Sequence, residues 1–269
     1  MASSPDSGAS LRILYAGAGG TKSAFAEKVA DYVASRPDYP AALFQTLKQI
    51  SPPNENKPVA DIGAGTGLLT RDLLKNGYRV VAVEPNPAMR QAADSLLGNT
   101  DGYRSVDGCA EAMPLATGSV QLITAAQAFH WFEVDRARME FLRVLNTQGQ
   151  VALIWNDWVR TDPIRVAFDQ LSLEFGGAKR AALLAHEDRR YVAQFFGETQ
   201  PKQFTWPHAH FLDEDGVLSL VFSRSYIPGR ATPDGQSVAD RVRILFSRFA
   251  ANGKVEVRYN TVAIIGRPG

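Results

Sequence analysis

The chain has 269 residues, enough for one large domain or one domain with an inserted cap. Its 45% hydrophobic and 21% charged content are ordinary globular values, which set aside a disordered or fibrous chain. Basic and acidic residues number 29 and 28, a net charge of +1 with no dense basic run, which argues against nucleic acid as a partner. Cys109 is the single cysteine and the four histidines have no metal-ligand spacing, so neither a disulfide nor a metal centre is expected.

In chain order, Met1–Ser10 is small and polar without a basic region, and Leu11–Tyr15 is short and broken by Arg12, against a secretory signal. Leu11–Ser23 resembles a phosphate-binding loop, but Thr21 stands where a glycine should precede Lys22. Residues 1–24 are expected to be a flexible leader and 25–269 a single domain. No apolar run approaches the roughly 20 residues of a membrane span, so a cytoplasmic protein is expected. Asn54–Lys57 is a polar loop. Short apolar runs then predict strands at Val59–Ile62, Val80–Glu84, Tyr103–Asp107, Val120–Ala125 and Gln150–Trp155, with helical patterns between them. Such strands suit a parallel sheet covered on both faces. Asn156–Gly197 breaks the rhythm with an aromatic-rich helical pattern, read as an insertion before the sixth strand. Lys254–Arg267 alternates as a final antiparallel strand should.

The most informative stretch is Val59–Thr70. An apolar run ends in Asp61, glycines alternate at Gly63, Gly65 and Gly67, and a helical pattern follows. This is a strand turning sharply into a helix, bare of side chains where a ligand must approach backbone. The second strand ends in Glu84, whose carboxylate can accept from both hydroxyls of a ribose. A nucleoside cofactor is indicated. A dinucleotide turn needs a third glycine where Leu68 stands, and no Lys-Ser or Lys-Thr pair follows for a P-loop. Asp61 would repel phosphate and suit a cation.

The pattern D-x-G-x-G-x-G with a strand-terminal Glu resembles the class I S-adenosylmethionine-dependent methyltransferases. It is closest to the small-molecule branch of trans-aconitate methyltransferase and the ubiquinone-type (type 11) enzymes. Ala30–Pro40, Gly108–Leu115 and Ala126–Phe132 are similar to further segments of that branch. The resemblance covers residues from about 25 to the end. It implies an α/β fold: a seven-stranded, mostly parallel Rossmann-like sheet with helices on both faces, an N-terminal helical lid and the helical insertion at 156–197.

The resemblance also implies the site. Asp61, Gly63, Gly65, Gly67 and Glu84 would hold the methionine and ribose parts of S-adenosyl-L-methionine. Met89, Ala110 and Glu111 would flank the adenine, though Met89 also suits plain core. Tyr32, Arg36 and Tyr39 would close over the sulfonium. Arg36 suits a carboxylate of cofactor or substrate, or else is a surface arginine before Pro37. Gln127 would bind the methionine end, and His130 is either a general base or a donor that orients the acceptor. Tyr39, Trp131, Trp158, Arg224 and Tyr226 fall on the substrate side. The aromatic insertion suggests a mostly apolar small acceptor, with no metal, nucleic acid or membrane partner, in a monomer or homodimer. The function expected is methyl transfer to an O-, N- or C-nucleophile. A cofactor-binding regulator or repurposed catalyst of the same fold would present the same binding residues, and an NAD-dependent reductase is disfavoured by Leu68.

Overall fold

The computed structural model describes residues 31, 33, 35–186, 189 and 191–269, without the side chains of 182–186. The leader expected at 1–24, and Tyr32, lie outside the described residues. Helix α1 (Ala41–Ile50) leads into β1 (Val59–Ile62), α2 (Leu68–Lys75), β2 (Val80–Val83), α3 (Pro87–Leu97) and β3 (Tyr103–Val106). β4 (Val120–Ala126), α4 (Val134–Val144) and β5 (Leu145–Trp158) follow, then α5 (Pro163–Phe175), α6 (Gly177–His186) and α7 (Val192–Phe196). The chain closes with β6 (Lys202–Leu212), α8 (Glu214–Phe222), α9 (Pro233–Phe249) and β7 (Val255–Gly266).

The seven strands form one sheet in the order β3-β2-β1-β4-β5-β7-β6. β1 to β5 run parallel, and β7 is antiparallel to both β5 and β6. This is the mostly parallel Rossmann-like sheet expected. Its inner strands are apolar on both faces, and successive residues serve opposite cores, as a side-chain period of two requires. Val59, Val80, Leu122, Ala152 and Ile154 pack with Leu43, Leu47, Leu69 and Leu73 of α1 and α2. Ala60, Val81, Ile123, Val151 and Leu153 pack on the other face with Phe141 of α4 and with Phe195 and Phe196 of α7.

Several helices start on local capping chemistry. Asn86 Oδ1 accepts from the N–H groups of Ala88 and Met89 at 3.0 and 3.3 Å, with Pro87 in the first turn of α3. Thr232 and Pro233 start α9 in the same way, the threonine hydroxyl accepting from Gly235. An oxygen acceptor followed by proline satisfies an orphan N–H and presets φ.

The larger differences from the reading of the sequence lie in β5 and between β6 and β7. β5 begins at Leu145, before Gln150, and runs on to Trp158 because β7 stays paired with it to Tyr259. Helices α8 and α9 between β6 and β7 were not assigned. With α5 they bury a second core around Phe168, Val217, Phe222, Val238 and Tyr259, beside the carboxyl end of β5. Among the described residues no helix is long and apolar enough to cross a membrane.

Candidate active site

After β1 the chain moves outward to β2 and β3, then jumps back to place β4 on the other side. That reversal opens a crevice at the carboxyl ends of β1 and β4, the place where such sheets take ligands. The loops there line a cleft of about 1260 Å³.

The Gly-rich turn forms one wall. Gly63, Gly65 and Gly67 have φ of +66°, +57° and +83°, a left-handed backbone that side chains resist. The three serve different ends. A Cβ on Gly63 would meet the Cβ of Ala128 at 2.6 Å, and one on Gly67 would meet Leu97 Cδ1 at 2.8 Å. A Cβ on Gly65 would meet nothing within 4 Å. Gly63 and Gly65 line the cleft, whereas Gly67 packs against α3 and is absent from the lining. The missing side chain of Gly67 lets α3 approach.

Asp61 sits deeper still. It is 1% exposed, outside the cleft lining, and both its oxygens are engaged. Oδ2 accepts from the Thr70 hydroxyl at 2.7 Å and Oδ1 from that of Thr124 at 2.8 Å. It ties β1 to β4 and α2 from beneath the turn. Burial pushes its carboxyl up to about 6, against those two hydroxyls, which pull it down.

Glu84 is 8% exposed and lines the cleft just beyond β2. Its Oε2 accepts from the Gly65 N–H at 2.9 Å and its Oε1 from that of Asn86 at 2.8 Å. A carboxylate oxygen can accept more than one hydrogen bond. Met89 and Ala110 line the neighbouring part of the cleft, both largely buried. Glu111 lies beside them, its Oε1 accepting from the Glu133 N–H at 2.7 Å. Cys109 also lines this part, and burial pushes its thiol up.

At the end of β4, Gln127 takes a φ of +55°, and its amide donates to the Asn156 carbonyl at 3.2 Å. The single turn Phe129–Trp131 follows. Phe129 points into the core against Trp155 and Phe195. His130 and Trp131 line the cleft with ring centres 5.0 Å apart. Arg36 and Tyr39 reach the lining from the segment before α1.

The far half of the cleft departs from the expected apolar character. Phe168, Phe195 and Phe196 of the 156–197 segment are buried in the two cores. Besides Asn156, Trp158 and Val159, this segment shows the cleft the charged Asp157, Arg160, Arg165, Asp169, Arg180 and Arg189. On α5, amphipathicity explains the switch: Phe168 goes to the core while Arg165 and Asp169 face the opening. Arg189 clasps Asp157 through one amino group at 2.5 and 2.6 Å and lies 4.3 Å over the Trp155 ring. Arg165 pairs with Asp169 at 2.7 Å. Trp158, Arg224 and Tyr226 do line this half, and Arg224 donates to the Tyr226 hydroxyl at 3.1 Å. Tyr259, stacked on Trp158 with centroids 5.9 Å apart, also lines it and was missed. Burial pushes its phenol up to about 12, with Arg224, Arg36 and Arg165 pulling the other way. Asn156 and Asp157 had a readable signal, since they are polar residues closing an apolar strand next to β4.

The comparisons agree with this geometry. A family described as a methyltransferase domain matches residues 60–153, from β1 into β5. An uncharacterized methyltransferase of Mycobacterium tuberculosis is 31% identical over 242 residues, covering 84% of this chain and 87% of its own. An uncharacterized methyltransferase-like protein of Schizosaccharomyces pombe is 35% identical over 248 residues, 89% of this chain and 93% of its own. A solved structure named for a type II methyltransferase of Anaeromyxobacter dehalogenans is similar in fold, with a TM-score of 0.59 at 24% identity. It covers 86% of this chain and 97% of that one. The chain belongs to the class I S-adenosylmethionine-dependent methyltransferases.

Proposed function

We propose that the chain transfers the methyl group of S-adenosylmethionine to a small-molecule acceptor within this cleft, and that residues 25–269 act as one cytoplasmic domain. The observation that carries the reading is the Gly65 turn. Its backbone faces open space that a Cβ would fill, and its N–H is tied to the acid that closes β2. Those residues fit the cofactor: bare backbone for the methionine part, Glu84 for the ribose hydroxyls, Met89 and Ala110 for the adenine faces.

When bound, the cofactor supplies a methyl group on a sulfonium, open to in-line attack. The chain's own part is mainly to hold the acceptor in line and exclude water. Gln127 and Arg36 suit the polar end of the methionine part, and Tyr39 and Trp131 suit contacts to the acceptor. A ring nitrogen of His130 accepts the proton that an O–H, N–H or acidic C–H acceptor gives up. The 156–197 segment contributes the far wall.

Two measurements test this. Calorimetry should show S-adenosylhomocysteine binding, lost in Gly65→Val. Incubation with methyl-labelled cofactor and a metabolite extract should label a small molecule. Binding without any labelled product would instead support a cofactor-binding protein that does not methylate.

A further inference from the structure

We infer that Asn156 and Thr261, paired across β5 and β7, are positioning residues for the cofactor: they hold the segment before α1 and the loop after β4 in place around its methionine part. This deepens the proposed function and rests on the Gly-rich turn being the cofactor's end, with Arg36 and Gln127 toward the methionine part.

The two residues break an apolar pattern. On the α1 face of the sheet, β5 presents Ala152 and Ile154, and β7 presents Ala263 and Ile265, all in one core. The next positions on that face are Asn156 and Thr261, and the strand register sets them directly opposite each other. Thr261 is fully buried. A buried hydroxyl is costly unless it is hydrogen-bonded, and valine would fill the same space without that cost.

Each polar atom of the pair has a partner. The Thr261 hydroxyl donates to Asn156 Oδ1 at 2.6 Å. Asn156 Nδ2 donates to the Pro37 carbonyl at 3.5 Å, and the Asn156 backbone carbonyl accepts from the Gln127 amide at 3.2 Å. A carbonyl only accepts, so Pro37 fixes which end of the Asn156 amide turns to Thr261. On its other side, Thr261 Oγ1 lies 3.2 Å from Nδ1 of His208 on β6. The Thr261 hydrogen is committed to Asn156, so Nδ1 carries the hydrogen of that bond. Burial pushes the His208 pKa down, which keeps the ring neutral with a single N–H.

Asn156 lines the cleft, whereas Thr261 and His208 lie behind it. Arg36, Pro37 and Tyr39 line it from the segment that Asn156 holds, and Gln127 from the loop. Asp38 of the same segment is also paired with Arg71 of α2 at 2.6 Å, so loss of the Asn156 contact loosens the segment without releasing it.

The test uses the full chain. Nitrogen relaxation of the Asp38 and Tyr39 amides reports the segment directly. Their order parameters should fall from about 0.85 toward about 0.6 in Thr261→Val and keep the parent level in Thr261→Ser. Calorimetry with S-adenosylhomocysteine should show about tenfold weaker binding for Thr261→Val and a loss within about threefold for Thr261→Ser. Arg36→Ala should cost about tenfold alone. Combined with Thr261→Val it should cost less than the product of the two, because both act through one segment. Thermal melts check folding. If Thr261→Val does not fold, Asn156→Asp takes its place with the same expected losses, since it keeps the acceptor for Thr261 and removes the donor to Pro37. Unchanged order parameters, parent-like affinity in Thr261→Val or Arg36→Ala, or losses that multiply would overturn the inference. Failure of S-adenosylhomocysteine to bind the parent would overturn the cofactor reading instead, and the order parameters would still judge the hold on the segment.

Discussion

The Gly65 N–H donates to Glu84 Oε2 across 2.9 Å, joining the turn after β1 to the acid after β2. In the proposed reading this carboxylate both orders the backbone of the turn and faces the cofactor, two roles in one side chain. Glu84→Ala therefore removes both.

Glu84→Ala should weaken S-adenosylhomocysteine binding by about 1.5–3 kcal/mol, the scale of hydrogen bonds to a charged group. It should also lower the melting temperature, since the Gly65 and Asn86 N–H groups lose their acceptor. A 2′,3′-dideoxy analogue should lose as much with the parent and almost nothing further with the variant. Additive losses would show that Glu84 does not touch the ribose.

The glycines should separate by phenotype. Gly63→Ala drives a Cβ to 2.6 Å from that of Ala128, so the cost falls on folding, about 1–3 kcal/mol. Gly65→Val has open space around its Cβ and pays only the backbone strain at φ +57°, about 1–2 kcal/mol. Its main effect should be on the ligand, with cofactor binding abolished in a folded protein. An affinity for Gly65→Val within about threefold of the parent would sink this assignment.

Asp61 makes a pH signature. Its carboxyl titrates near about 6 in the folded protein, against 3.8 in the unfolded chain. Between those values the folded state binds more protons, so stability falls as pH rises through the window and levels off above it. Two units correspond to up to about 3 kcal/mol. Urea unfolding of the parent and Asp61→Asn from pH 4 to 7 should show the parent losing ground to the variant until about pH 6. A difference that does not change with pH would mean that the buried carboxyl titrates like an exposed one.

His130→Ala should lower turnover by about 10²–10⁴-fold if the acceptor gives up a proton, with cofactor affinity hardly changed. Parent turnover should then fall at acid pH, where a protonated ring cannot accept the proton. For an acceptor that is already an anion at the attacking atom, the same substitution should cost far less, with a flat acid limb. Parent-like rates at every pH would remove His130 from the chemistry.

The turn, the strand-end acid and the strand positions were legible in the sequence because each is local. Alternating glycines, an apolar run four residues long and a polar residue closing it need only neighbours along the chain to be recognised. Residues at adjacent strand ends were therefore predictable as one site, and Glu84, Met89, Ala110, Gln127 and His130 do line one cleft.

Tertiary structure decided what needs partners distant in the chain. Asp61 looks the same in the sequence whether it faces a cation or sits beneath the turn; Thr124, 63 residues away, engages it in the core. Gly67 is spoken for by Leu97 and Ala93 of α3. The aromatic count of 156–197 predicted an apolar wall, but which face of an amphipathic helix meets a core depends on what packs there. The second core of α5, α8 and α9 takes Phe168 inward and leaves Arg165 and Asp169 to the cleft. The sequence by itself determined the parallel strands and the Gly-rich turn, whose signals are short-range. The polarity of the cleft wall beyond β5 was set only by packing, because side chains distant in the chain choose that surface together.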